Sequence, residues 1–258
     1  MRVIFWLVFI FSVSSYGQED LPFRPGEKTI YNISFGGIEI GSASIEIVAE
    51  KQKQEHTVFH VVAKGKTSPF FDIFFKVRDV YETYMDVKNK RPVEFYRDIY
   101  EGGYKLRQNY IFKHEKEQVL VGDTVYNITQ TSQDMLSALF FARTFKKQIA
   151  LQGEPFFIPI FMDEENYYLE VSYLYNEVLE TELGKINCMV FKPKMQEGRI
   201  FRDGEKMKIW ISDDTNHLLL KVESKIWAGM LKAEILEAEG LKTPLINVTE
   251  QLKSMLKN

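Results

Sequence analysis

Apolar and polar residues alternate with a period of two along most of this chain, cut at short intervals by turns. Tyr31, Ile33 and Phe35 fall on one side and Asn32 and Ser34 on the other; Gly36-Gly37 breaks the run, and Gly41 marks the next break. Ala43, Ile45 and Ile47 then alternate with Ser42, Ser44 and Glu46, and Tyr81 and Met85 share a face of the stretch 77–85. Val93, Phe95 and Ile99 oppose Glu94, Tyr96 and Asp98, and beyond Gly102-Gly103 the residues Tyr104, Leu106, Tyr110 and Phe112 share a face with Gln108. Phe156–Met162 reads as a strand that Pro159 pushes towards a sheet edge. Tyr167, Leu169, Val171, Tyr173 and Tyr175 read as one continuous face. A period of two is the signature of half-buried strands. About a dozen such strands with brief turns can only join antiparallel neighbours.

One stretch departs from this period. Over Thr131–Phe145, Met135, Leu136, Leu139, Phe140 and Arg143 recur at helical spacing, with Thr131 and Asp134 placed as a capping box. A second short helix is suggested by Val248, Leu252 and Met255. Antiparallel sheets commonly cover one face and leave the other wet. The expected fold is therefore all-β, an antiparallel curved sheet or partly open barrel with one principal helix. Tyrosine-rich faces are candidates for the wall of a concave groove.

The first residues carry a different message. Met1-Arg2 precede an apolar run from Val3 to Val13, followed by Ser14, Ser15, Tyr16 and Gly17. Charge, apolar run and small residues in that order form a secretory leader. The run has 11 residues, whereas a spanning helix needs roughly 20. Residues 1–17 are thus expected to be a cleaved signal peptide, and 18–258 one β-rich domain exported to the periplasm without a transmembrane anchor. The sole cysteine, Cys188, lies far from the expected cut, so no lipoprotein anchor is expected. It cannot form an internal disulfide, and its place between Ile186 and Val190 on an apolar face marks it as a buried, inert thiol. The formal charge of −3 becomes −4 once Arg2 is removed with the leader. With no basic excess, nucleic-acid binding through phosphate neutralisation is unsupported.

No catalytic set emerges. His56 and His60 lie four apart on a strand pattern, which separates them by roughly 13 Å, too far for one zinc ion. There is no Gly-x-Ser-x-Gly elbow. Ser137 reads as a packing residue, and Asp213-Asp214 as the start of a turn. No metal site or cofactor is implied. Two features call for more than a surface role. Arg143 ends an apolar helix face, where a guanidinium must be paired or solvated. It is expected to tie the helix to the sheet through Asp79 or Asp213, the alternative being an anionic head group at a cavity mouth. Phe70, Phe71, Phe74 and Phe75 follow Pro69 within six positions. They are expected to form a core plug under a loop, the alternative being a hydrophobic lip for a lipid chain or a partner.

Three separated segments carry a resemblance. They are Gly26-Glu27-Lys28-Thr29-Ile30-Tyr31 with Gly41 following; Asp134 to Arg143; and Ile209-Trp210-Ile211-Ser212-Asp213-Asp214, continuing through Val222-Glu223 to Gly229. In that order they resemble the DUF3108 family, exported bacterial proteins of unknown function, over about Phe23 to Leu236. The resemblance implies an envelope protein with a β-rich fold and implies no reaction. Likeness to lipid-carrying half-barrels of the periplasm is fold analogy alone. The leading expectation is a non-enzymatic binding module for an amphiphile or cell-wall fragment. The alternatives are an envelope-assembly scaffold that binds another envelope protein, and a hydrolase of unrecognised type.

Overall fold

The computed structural model describes residues 21–148, 152–195, 207–226 and 229–248. The expected leader and the expected helix beyond Val248 lie outside the described residues. Fourteen strands make one antiparallel sheet. The first eight are β1 (Lys28–Phe35), β2 (Ile38–Lys53), β3 (His56–Thr67), β4 (Arg78–Asp86), β5 (Pro92–Glu101), β6 (Tyr104–Lys113), β7 (Gln118–Val121) and β8 (Thr124–Asn127). Helix α1 (Met135–Arg143) follows. Then come β9 (Phe156–Met162), β10 (Glu165–Thr181), β11 (Gly184–Met195), β12 (Met207–Ser212), β13 (Leu219–Ile226) and β14 (Gly229–Glu239).

In the sheet, β1 to β8 form one meander and β9 to β14 another, and β1 pairs with β14 along the midline. The two outer edges are β8 and β9, the strands that flank the helix in sequence. Pro159 therefore sits on an edge strand, where its missing N–H removes no ladder bond. The edges curl towards each other without pairing as strands. Gln133, in the segment between β8 and α1, covers the β9 edge: its N–H donates to Pro159 O (2.8 Å), and its carbonyl accepts from Phe161 N (2.9 Å). Other ties cross the seam between the edges. Arg97 on β5 pairs with Asp163, Tyr126 on β8 donates to Glu164 (2.7 Å), and Asn166 donates to Asn127 O (2.8 Å). Asp163 and Glu164 form the two-residue β9–β10 turn with φ of 52° and 66°, the doubly left-handed pattern that matches strand twist. The fold is a partly open barrel.

The helix lies within the curl. Leu136 and Phe140 join Phe23, Phe59, Met85, Phe95 and Phe161 in the largest buried cluster, while Ala138 packs with Ile158 and Ile160 of β9. The helix is shorter than the spacing of apolar residues suggests, and its cap is different. Asp134, not Thr131, is the N-cap, and its carboxylate accepts from Leu136 N (2.7 Å) and Ser137 N (2.8 Å). Ser137 returns the bond to Asp134 N (3.0 Å), completing the box that a shorter Asp/Ser pair can close as well as Thr/Glu.

Two local features explain other departures. The tyrosine face of β10 does not run unbroken, because a register shift between Tyr173 and Tyr175 turns Tyr175 outward. Gly41 is required by backbone proximity. A Cβ there would stand 2.2 Å from the Lys66 carbonyl oxygen on β3. Cys188 is fully buried with Ile186 and Val190, and burial pushes its thiol up to about 12.

Candidate binding cavity

Between α1 and the second meander lies an apolar cavity of about 290 Å³. The strand period builds its wall. Every second residue of β9 from Phe156 to Met162 points inward, and β10 adds Leu169 and Val171. Met189 and Phe191 of β11 and Ile209 and Ile211 of β12 extend it. The helix supplies Met135, Ala138, Leu139 and Ala142, small residues alternating with long ones, so that space remains between helix and sheet. On its other flank, Met135, Leu136 and Leu139 border a second space of about 310 Å³ over β1 to β4. The wall is aliphatic, methionine and phenylalanine; the tyrosine-lined groove suggested by the sequence is not what forms there. Tyr173 stacks edge-on against Phe191, and Tyr175 points away.

At the helix C-terminus the cavity meets a polar recess of about 520 Å³. Arg143, Phe145, Lys146, Lys147 and His217 border both spaces. The Arg143 side chain is 4% exposed, and so is that of its partner Glu27. The pair is bidentate, Nη1–Oε1 2.5 Å and Nη2–Oε2 3.1 Å, and Nε donates to Asn216 O (3.1 Å). The expected tie between helix and sheet is present, but its acid is Glu27, not Asp79 or Asp213. Asp213 is taken by Lys147 (2.6 Å), and Asp79 accepts from Tyr100 N (3.0 Å), with burial pushing its carboxyl up to about 6. Glu27 and Asn216 thus take one donor each from Nη1, Nη2 and Nε, and the fork that would grip a head group is engaged by Glu27.

The recess is polar in other ways. His217 has φ of 45°, and its Nδ1 lies 2.8 Å from the Arg143 carbonyl. That contact places the proton on Nδ1 and leaves Nε2 as an acceptor when the ring is neutral. Lys146 is exposed and has no ion pair among the described residues. Asp214 is consumed by its turn, accepting from Ser212 Oγ (2.7 Å) and Asn216 N (3.0 Å). The two strand histidines are occupied separately, His56 by Asp86 and His60 by Glu82, both at 2.7 Å. Among the described residues no three His, Cys, Asp or Glu side chains gather as a metal set.

The phenylalanine cluster lies elsewhere. It forms the β3–β4 connection, with a 3₁₀ turn at Phe71–Ile73. The core-plug expectation is overturned: Phe70, Phe74 and Phe75 are 64%, 73% and 55% exposed. Asp72 accepts hydrogen bonds from Thr67 and Arg78 at the two strand ends, which pins the base of the turn with its rings outside the core.

The sequence model of DUF3108, a family of proteins of unknown function, matches residues 30–236. The chain belongs to the DUF3108 family. The three segments that carry the resemblance meet in this DUF3108 fold at Arg143, which pairs with Glu27 and binds the Asn216 carbonyl just beyond Asp213-Asp214, beside the recess. A β-barrel-like protein of the DUF1849 domain of unknown function, from Brucella abortus, is similar in structure. It has a TM-score of 0.58 at 10% identity, covering 86% of this chain and 100% of that one. A candidate lipoprotein from Parabacteroides distasonis aligns with a TM-score of 0.37 at 12% identity over 85% and 97% of the chains. A candidate exported protein from Bacteroides fragilis aligns with a TM-score of 0.33 at 8% identity over 85% and 98%. No curated protein matches the sequence significantly. Among the described residues no helix is long and apolar enough to cross a membrane.

Proposed function

We propose that this DUF3108 protein is a non-enzymatic binding module of the bacterial periplasm that holds the apolar part of an amphiphile. The carrying observation is the cavity between α1 and β9–β12, walled by aliphatic, methionine and phenylalanine side chains and bordered by Arg143, Lys146, Lys147 and His217 where it meets the recess. Small-molecule sites have this form, mostly apolar walls with a few polar groups at one end. Its 290 Å³ admits about ten groups of water size, at ~30 Å³ each. That is a hydrocarbon chain of medium length, with the head beside Lys146, Lys147 and His217. The N-terminal run of residues 1–17 supports export to the periplasm.

The test is mass spectrometry of lipids extracted from the protein purified from a periplasmic fraction, with Leu139→Trp as control. Leu139 borders the cavity and is only half-buried, so the indole fills the space without opening the core. An amphiphile retained by wild type and absent from L139W supports the reading. Ligand-free protein that also fails to bind a fluorescent fatty acid sinks it.

A further inference from the structure

We propose that the β3–β4 loop is a preformed wedge that docks this protein on the surface of an anionic lipid bilayer. Phe70, Ile73, Phe74 and Phe75 are 64%, 77%, 73% and 55% exposed, four large apolar side chains within six residues. The neighbouring hairpins add Ile38 at 63% and Tyr104 at 58%. Scattered apolar residues need no explanation, but a contiguous cluster marks a surface with a partner.

The loop is built to present these rings. Asp72 accepts from Thr67 Oγ1 (2.5 Å) and, as a fork, from Arg78 Nη1 (2.9 Å) and Nη2 (2.5 Å). The Arg78 and Thr67 hydrogen bonds hold its carboxyl below the usual range, so the local acid stays ionised and paired. Val77 N donates to Thr67 Oγ1 (2.9 Å), and Ser68 N to Ile40 O (2.9 Å). The Phe75 ring lies across Gly102, where a Cβ would stand 2.1 Å from it. The rings also meet edge-on, Phe70 with Phe71 at 5.3 Å and with Phe74 at 5.7 Å. The exposed state is thus a fixed one, and little ordering cost accompanies docking.

Charge selects the occupant. Lys64, Lys66, Lys76 and Lys105 are exposed around the loop without an ion pair among the described residues, against exposed Glu39 and Glu101. The surround is net positive on a chain whose formal charge is −3. Lysine is depleted at protein–protein interface cores. Aromatic rings ringed by lysine fit the interface of an anionic bilayer, where rings enter the acyl boundary and ammonium groups meet phosphates. Alternate hairpin turns fall at alternate ends of the strands, so this loop and the 213–217 turn of the recess lie at opposite ends. Docking here is therefore independent of whether the cavity holds a ligand.

Phe74→Trp in the full chain supplies a probe at the tip. Vesicles of phosphatidylglycerol and phosphatidylcholine with brominated acyl chains are added, and the fluorescence gained over wild type is followed. Quenching of that increment is expected, weaker at high salt. F70S/F74S, measured in the same full chain, should lose at least about tenfold in partitioning while keeping its urea midpoint, since it removes only exposed rings. An unquenched indole, equal partitioning of F70S/F74S, or a wild-type dimer that F70S/F74S converts to monomer overturns the proposal.

Discussion

Replacing Glu27 by Gln tests whether Arg143 holds the fold together or waits for a ligand. Both side chains are 4% exposed and joined as a fork. Gln keeps the shape and one acceptor but strands the guanidinium charge in a buried site, with the Asn216 carbonyl as its remaining partner. Breaking a buried pair by removing one member costs about 3–5 kcal/mol; the retained acceptor puts E27Q near the lower end. A loss of about 3 kcal/mol in a chain of this size lowers Tm by roughly 6–12 °C. It moves the urea midpoint by about 1 M. Urea titration followed by circular dichroism and tryptophan fluorescence reads both. The double variant Glu27→Leu with Arg143→Met leaves no buried charge and should recover most of the loss. An E27Q midpoint within about 0.5 kcal/mol of wild type refutes the reasoning. So does an R143A variant that keeps its stability but releases ligand, which would make Arg143 a head-group anchor.

Asp134 should make stability depend on pH in an uncommon direction. Burial raises its carboxyl from 3.8 to about 6 in the folded chain, so between those values the folded state binds more protons. Stability then falls as pH rises through that window, and the cost is full above pH 6. Asp134→Asn, an equally good cap, should gain about 1–3 kcal/mol on wild type at neutral pH relative to pH 4. Urea midpoints of the two proteins at both pH values check this, and a pH-independent difference would contradict it. Cys188, with its thiol pushed up to about 12 and no exposed surface, should resist a disulfide reagent in the native state. Labelling should proceed only at the rate of unfolding, and a fast native reaction would show the thiol to be open. Gly41→Ala forces the β2 and β3 backbones apart at a contact of 2.2 Å. It should cost several kcal/mol, about the upper range for single substitutions, and an unchanged melting temperature would rule out that contact.

Most strands were legible from the alternation of a buried and a wetter face, as in β5, although β11 and β12 bury consecutive residues on both faces. Phe156–Met162 and the edge position of Pro159 follow directly from pattern and proline chemistry. The partner of Arg143 was not legible, since Glu27 lies 116 positions away and nothing local distinguishes it from other glutamates. Its place beside Gly26 in the first family-like segment was the available signal. Arg97 was similarly open to detection. It shares parity with the buried Val93, Phe95 and Ile99, and an arginine on an apolar strand face needs a partner, here Asp163 across the seam. The cavity could not be read, because a strand that lines a void has the same alternation as one that lines a filled core. The phenylalanines were misplaced because burial is only the commoner fate of such rings.

The pairing of β1 with β14 gives the molecule an unusual dependence on its distant parts. Each meander folds from neighbours in sequence, but the midline joins residues some two hundred positions apart, as Lys28 meets Glu239. Long-range pairings of this kind form late, since loop closure precedes any gain. A chain cut between Asn127 and Asp134 would leave the edges β8 and β9 on separate pieces and the midline ladder intact as their dock. Two such fragments, mixed, should reassemble through that ladder, which makes the protein a candidate for splitting into complementary halves.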